Sequence, residues 1–110
     1  MDVELLVIAD CPHAGPAWEL LRVALDDIGL TAQRFTTTVI DGLEQAQDRG
    51  FPGSPTFMAN GVDLFPDPER AVALACRVYV HPDGTTGLPD LAGLRQCLKR
   101  AADQPGARRH

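Results

Sequence analysis

A chain of 110 residues with 45% hydrophobic and 23% charged residues has the length and balance of one soluble domain with a buried core, and is short for two. A net charge of −5, with one lysine (Lys99), argues against binding to nucleic acid or an anionic membrane, since both need a basic face. No run approaches the roughly 20 apolar residues of a membrane span, and Asp2 and Glu4 stand where a secretory leader carries basic residues, so a cytoplasmic protein is expected.

Residues 2 to 9 read as a short buried strand, rich in aliphatic and β-branched residues and ended by Asp10–Cys11–Pro12. Pro12 suits the first turn of a helix, where its missing N–H has no partner to lose. Ala14, Trp18, Leu21, Leu25 and Ile28 recur at helical spacing, Ala17 and Ala24 widen that face, and Gly29 is a natural stop. Trp18 is therefore expected in the core. Residues 32 to 40 form a second strand, with Phe35, Thr37 and Val39 on one face. Residues 41 to 49 suggest a short polar helix capped by Asp41. Ser54–Pro55–Thr56–Phe57–Met58–Ala59 starts a third strand. Asn60–Gly61 is a hairpin signal, and Val62 to Phe65 is the returning strand.

Beyond Pro66, the stretch AVALACRVYV fits either a helical turn or a strand, and periodicity alone leaves both open. Its Tyr79 alternates with Val78 and Val80, which points it toward solvent without a chemical task. His81 to Gly84 reads as a turn with a solvated histidine. Leu91, Leu94, Leu98 and Ala101 mark a last helix, on which Cys97 reads as a structural thiol. The domain is expected to span residues 1–102, with 103–110 as a flexible tail.

Two parallel strands joined by a crossover helix, then an antiparallel hairpin and a closing helix, imply an α/β fold. Its centre is a mixed sheet of about four strands flanked by helices. This is the element order of the thioredoxin fold. CPHA at 11–14 resembles the CPHC or CPYC of disulfide oxidoreductases and glutaredoxins, with Ala14 in place of the second cysteine. GSPT at 53–56 resembles the thioredoxin-fold segment that carries a cis-proline beside the active cysteine. More narrowly, LLVIADCPHAGPAW, GFPGSPTFMANGVDLF and LACRVYVHPDGTTGLP look like small bacterial thioredoxin-like proteins. That group is sometimes labelled the DF family of (seleno)proteins, and some members are labelled as related to alkylmercury lyase. The resemblance implies redox or soft-metal chemistry at Cys11.

The residues themselves point the same way. A helix N-terminus presents unpaired N–H groups and the positive end of the macrodipole, which favour a thiolate, the reactive form of cysteine. A protonated His13 would add to this effect and Asp10 would oppose it. The resemblance to the thioredoxin fold, where a proline likewise opens a strand after the β-α-β unit, implies a cis Ser54–Pro55 bond although X–Pro bonds are mostly trans; it would turn the Ser54 backbone toward a groove where an extended chain can pair with it. Cys76, on a segment returning to the Cys11 end, is a candidate to resolve a mixed disulfide; a buried structural thiol is the equal alternative. The candidate site is therefore Cys11, Cys76, Pro55 and His13 for chemistry, with Pro12, Ser54 and Thr56 lining the groove.

Three cysteines, an odd number, are too few for a secreted disulfide framework and match no zinc-finger spacing; no metal and no cofactor is expected. Three functions remain open. The first is a thiol-disulfide oxidoreductase whose partner is a protein or small-molecule thiol or disulfide. The second is a soft-metal or organomercurial protein using Cys11 and Cys76. The third is a non-catalytic thioredoxin-like binding module, for which Ala14 is the argument.

Overall fold

The computed structural model describes residues 1–67, 70–81 and 84–103. Pro68, Glu69, Pro82, Asp83 and nearly all of the expected tail lie outside the described residues. Strands β1 (Val3–Ile8), β2 (Phe35–Ile40), β3 (Thr56–Ala59) and β4 (Val62–Asp63) form a mixed sheet in the order β2-β1-β3-β4. β1 runs parallel to β2 and antiparallel to β3, and β3 pairs antiparallel with β4. The helices are α1 (Ala14–Asp27), α2 (Leu43–Arg49) and α3 (Leu91–Ala102), and a separate two-stranded hairpin joins β5 (Tyr79–His81) to β6 (Gly84–Thr86). The chain is thus an α/β protein with a four-stranded mixed sheet and three helices among the described residues.

Apart from Glu4, β1 is apolar on both faces because both are covered, as expected of a central strand. Val3, Leu5 and Val7 pack into one core cluster with Leu21 and Leu25 of α1 and Leu94 and Leu98 of α3. Leu6 packs on the other side with Ile40, Ala46, Phe51 and Met58, under α2. Helix α2 is also tied to β1 by Arg49, which pairs with Glu4. The hydrogen bond from Arg49 holds the Glu4 carboxyl below its usual range, against the opposing effect of burial, with help from Thr38. The Asn60–Gly61 hairpin forms as expected, with φ of 54° and 79° at its two turn residues.

Several expectations change. Trp18 is 46% exposed and leans on Phe35 at 5.3 Å between ring centroids, because α1 turns Ala17, Leu21, Ala24 and Leu25 inward instead. Asp41 does not cap α2; Gly42 occupies that position, and the Asp41 N–H donates to the Gln45 side chain. The returning strand is shorter than expected, although the Leu64 N–H still reaches the Phe57 carbonyl. The ambiguous stretch contains no helix: residues 71 to 78 run as an irregular strap, and only Tyr79 begins a strand.

No helix among the described residues is long and apolar enough to cross a membrane.

Candidate functional site

β1 ends at Ile8, and Asp10 takes a left-handed conformation (φ 59°), which Asp tolerates better than most residues. This turns the chain back so that the Cys11 N–H donates to the Ile8 carbonyl at 3.3 Å. The Cys11 carbonyl then accepts the Ala14 N–H at 3.1 Å. Helix α1 starts at Ala14 with His13 flanking it, so Pro12 lies in the preceding turn and not in the first helical turn. Cys11 thus stands at the strand–helix junction, one turn ahead of the helix. It is 9% exposed and belongs to the larger core cluster, next to which Ala14 and Leu88 pack.

The Ser54–Pro55 peptide is cis. The Ser54 hydroxyl accepts the Ile8 N–H at 3.1 Å, so the chain that leads to Cys11 is linked directly to this peptide. The Ser54 backbone does not face an open groove, contrary to expectation. Its N–H donates to the Ala75 carbonyl and its carbonyl accepts the Arg77 N–H, both at 2.8 Å, forming a one-residue parallel bridge with Cys76. The strap is also held upstream by the Ala73 N–H on the Phe51 carbonyl. A Cβ at Gly53, whose φ is 134°, would sit 3.0 Å from the Arg77 Cβ, so glycine is required for this close approach.

Arg77 anchors the strap. It is 2% exposed and donates to the Asp63 carboxylate at 3.0 Å, to the Thr56 hydroxyl at 3.3 Å and to the Phe65 carbonyl. Its guanidinium lies 4.7 Å from the centroid of the Tyr79 ring. Tyr79 is buried, not exposed, and its hydroxyl donates to the Pro55 carbonyl at 2.5 Å. Neither Arg77 nor Tyr79 was among the expected site residues. The available signal was the two-residue spacing within RVYV, which puts both side chains on one face. The valines between them invite the opposite assignment.

Burial, more than any neighbouring charge, pushes the Tyr79 hydroxyl far above its usual range. Below about pH 10 both the folded and unfolded chains keep this proton, and its contribution to stability is constant. As pH rises past about 10, the unfolded chain loses the proton first, and stability falls by roughly 1.4 kcal/mol per pH unit from this group. Urea unfolding between pH 9 and 11 should show this decline, and the Tyr79→Phe variant should remove that component.

The His13 ring lies against Gly87: a Cβ there would be 2.4 Å from Nε2. The same loop is held by His81, whose Nε2 is 2.5 Å from the Leu88 carbonyl, so His81 is not simply a solvated turn residue. Gly87→Ala must displace either the imidazole or the loop. A cost of about 1–3 kcal/mol in urea unfolding is expected. Unchanged stability would show that the contact gives way without consequence.

All three cysteines are free: Cys11 buried, Cys76 exposed and Cys97 partly buried, with an Arg100 nitrogen 3.7 Å from the Cys97 sulfur. Cys76 is carried by the strap, on the side of Ser54 away from β1. A cleft lined by Pro52, Ala73, Ala75 and Cys76 opens beside it. Thr56 is buried and donates its hydroxyl proton to the Gly53 carbonyl at 2.6 Å, so it shapes the turn before β3 and does not line an open groove. Among the described residues, no group of three or more His, Cys, Asp or Glu side chains is arranged to hold a metal ion.

No family model, curated protein or solved structure matches this chain. The chemistry of the chain rests on the junction itself. It joins one cysteine, one imidazole and a Ser–Pro peptide at the sheet end of α1. Such a set is suited to one-thiol nucleophilic chemistry, provided the covering segments allow access.

Proposed function

We propose that the chain is a small thioredoxin-like thiol-disulfide oxidoreductase with Cys11 as its nucleophile. The observation that carries this reading is the place of Cys11, between the end of the central strand and the start of α1, with Ile8 joining it to Ser54–Pro55. The β-α-β, hairpin, α order and the mixed sheet support the same reading, as does the resemblance of CPHA and GSPT to thioredoxin-fold motifs.

In the first step the Cys11 thiolate attacks one sulfur of a disulfide. One S–S bond breaks, a mixed disulfide forms on Cys11, and the leaving thiolate takes a proton from solvent. Ala14 stands where a second motif cysteine would release that product, so a second thiol must come from elsewhere. We assign that role to a small-molecule thiol of the glutathione type. A first such thiol attacks the Cys11 sulfur of the mixed disulfide, displacing the second substrate thiolate, which takes a proton, and stays bonded to Cys11; a second attacks that bound thiol's sulfur, forms the small-molecule disulfide and frees Cys11. Two thiols are oxidised and one substrate disulfide is reduced.

Cys76 is the second candidate for resolution. The strap lies on the far flank of Ser54, on the order of 10 Å from β1 by strand spacing. A disulfide spans only about 7 Å between Cα atoms, and both thiols are free, so Cys76 stands second to a small-molecule thiol here. A cytoplasmic location fits free thiols and a small-thiol reductant.

A second reading is a thioredoxin-like binding module without catalysis. Two observations favour it: Cys11 is nearly covered, and the Ser54 backbone is already paired within the chain. Turnover of a small mixed disulfide with glutathione as reductant separates the two readings. The oxidoreductase reading expects a rate above the uncatalysed background that is retained in Cys76→Ser. No rate above background would leave the binding module as the better description.

A further inference from the structure

β2 is the outer strand of the sheet, with β1 on one flank and no strand on the other among the described residues. The Ile8 N–H points toward Ser54, so even-numbered residues of β1 direct their backbone groups toward β3 and odd-numbered ones toward β2. In the regular parallel register the even residues of β2 take up those bonds, which leaves the N–H and C=O groups of Phe35, Thr37 and Val39 facing outward. The Gln45 side chain covers the far end of this edge, its amide nitrogen 3.4 Å from the Val39 carbonyl and its oxygen accepting the Asp41 N–H at 3.0 Å, which agrees with this assignment; pairing through Val39 would displace the long Gln45–Val39 contact.

Open edges in natural sheets are usually blunted by lysine, proline or a bulge. This one has none of these: FTTTVI has no charge, proline or glycine, and its six pairs with β1 run without interruption. The half-exposed Trp18 ring and the exposed Val39 flank it on the α1 side. The two ends are oppositely charged. Exposed Arg34 precedes the strand and exposed Asp41 follows it, and neither side chain meets an opposite charge among the described residues.

We propose that two copies of this chain pair antiparallel through their β2 edges. Outward-facing residues must oppose outward-facing residues, so the two-fold axis passes at Thr37 and sets Phe35 against Val39 of the second copy. Arg34 of each copy then comes within one residue of Asp41 of the other, whereas a parallel alignment would bring like charges together. The two four-stranded sheets (4 + 4) become one continuous sheet of eight, and both Trp18 rings lose exposure.

Sedimentation velocity on the full chain from about 1 to 200 μM should show a concentration-dependent dimer, with Trp18 emission shifting blue as it forms. Thr37→Pro removes an outward N–H that the fold does not use; it should be monomeric with an unchanged far-UV spectrum. Arg34→Asp should weaken the dimer about tenfold, since two exposed pairs are affected, and Arg34→Asp combined with Asp41→Arg should restore it. A wild-type chain that stays monomeric throughout, or a Thr37→Pro variant that dimerises as well as wild type, overturns the proposal. Failure of the double reversal to recover affinity overturns the antiparallel alignment.

Discussion

Arg77→Met will lower the unfolding free energy by about 3–5 kcal/mol, the usual consequence of removing one partner from a buried ion pair. Arg77 is almost fully enclosed, and its guanidinium satisfies Asp63, Thr56 and the Phe65 carbonyl together. Methionine keeps much of the volume but leaves a partly buried carboxylate and a carbonyl without their donor. It also removes the cation over the Tyr79 ring. Asp63→Asn in the same background should recover part of the loss, so the two changes together cost less than their sum. The strap should loosen as well, seen as faster proteolysis between residues 70 and 78. A loss below about 1 kcal/mol would mean that the Arg77 cluster contributes little beyond packing.

Cys11→Ser will reduce turnover of a mixed disulfide to the uncatalysed background, because the hydroxyl cannot serve as the exchanging sulfur. Serine buries an added hydroxyl in a site that is apolar on several sides, which costs about 1–3 kcal/mol if it finds no partner. Cys11→Ala avoids that cost and should be equally inactive. Loss of activity in both variants, with Cys11→Ala folded and stable, assigns the effect to the sulfur. Activity that survives in Cys11→Ala would move the chemistry to Cys76.

The sheet was legible because its signals are local. The apolar run of β1, the helical stripe of α1 and Asn60–Gly61 each specify one element, and the connections then allow few topologies. The placement of Cys11 followed from the same signals. Residues 70 to 81 were not legible, for two reasons. Arg77 and Tyr79 are buried by tertiary contacts with Asp63, Phe65 and Pro55, all of them distant in sequence. The strap is held by bonds to Phe51 and Ser54, so it needs no periodicity of its own. Trp18 was misplaced because a spacing of four and three fits two adjacent helix faces, and the small residues Ala17 and Ala24 decide between them by letting α1 approach the sheet. His13 against Gly87 left no trace in the sequence beyond the glycine itself.

In the proposed reaction the sulfur of Cys11 is the group that exchanges. Brief treatment of the folded protein with oxidised glutathione, followed by peptide mass spectrometry, tests it most directly. A glutathione adduct should form on Cys11 without denaturant and be removed by reduced glutathione. Adducts confined to Cys76 and Cys97, with Cys11 modified only after unfolding, would contradict it.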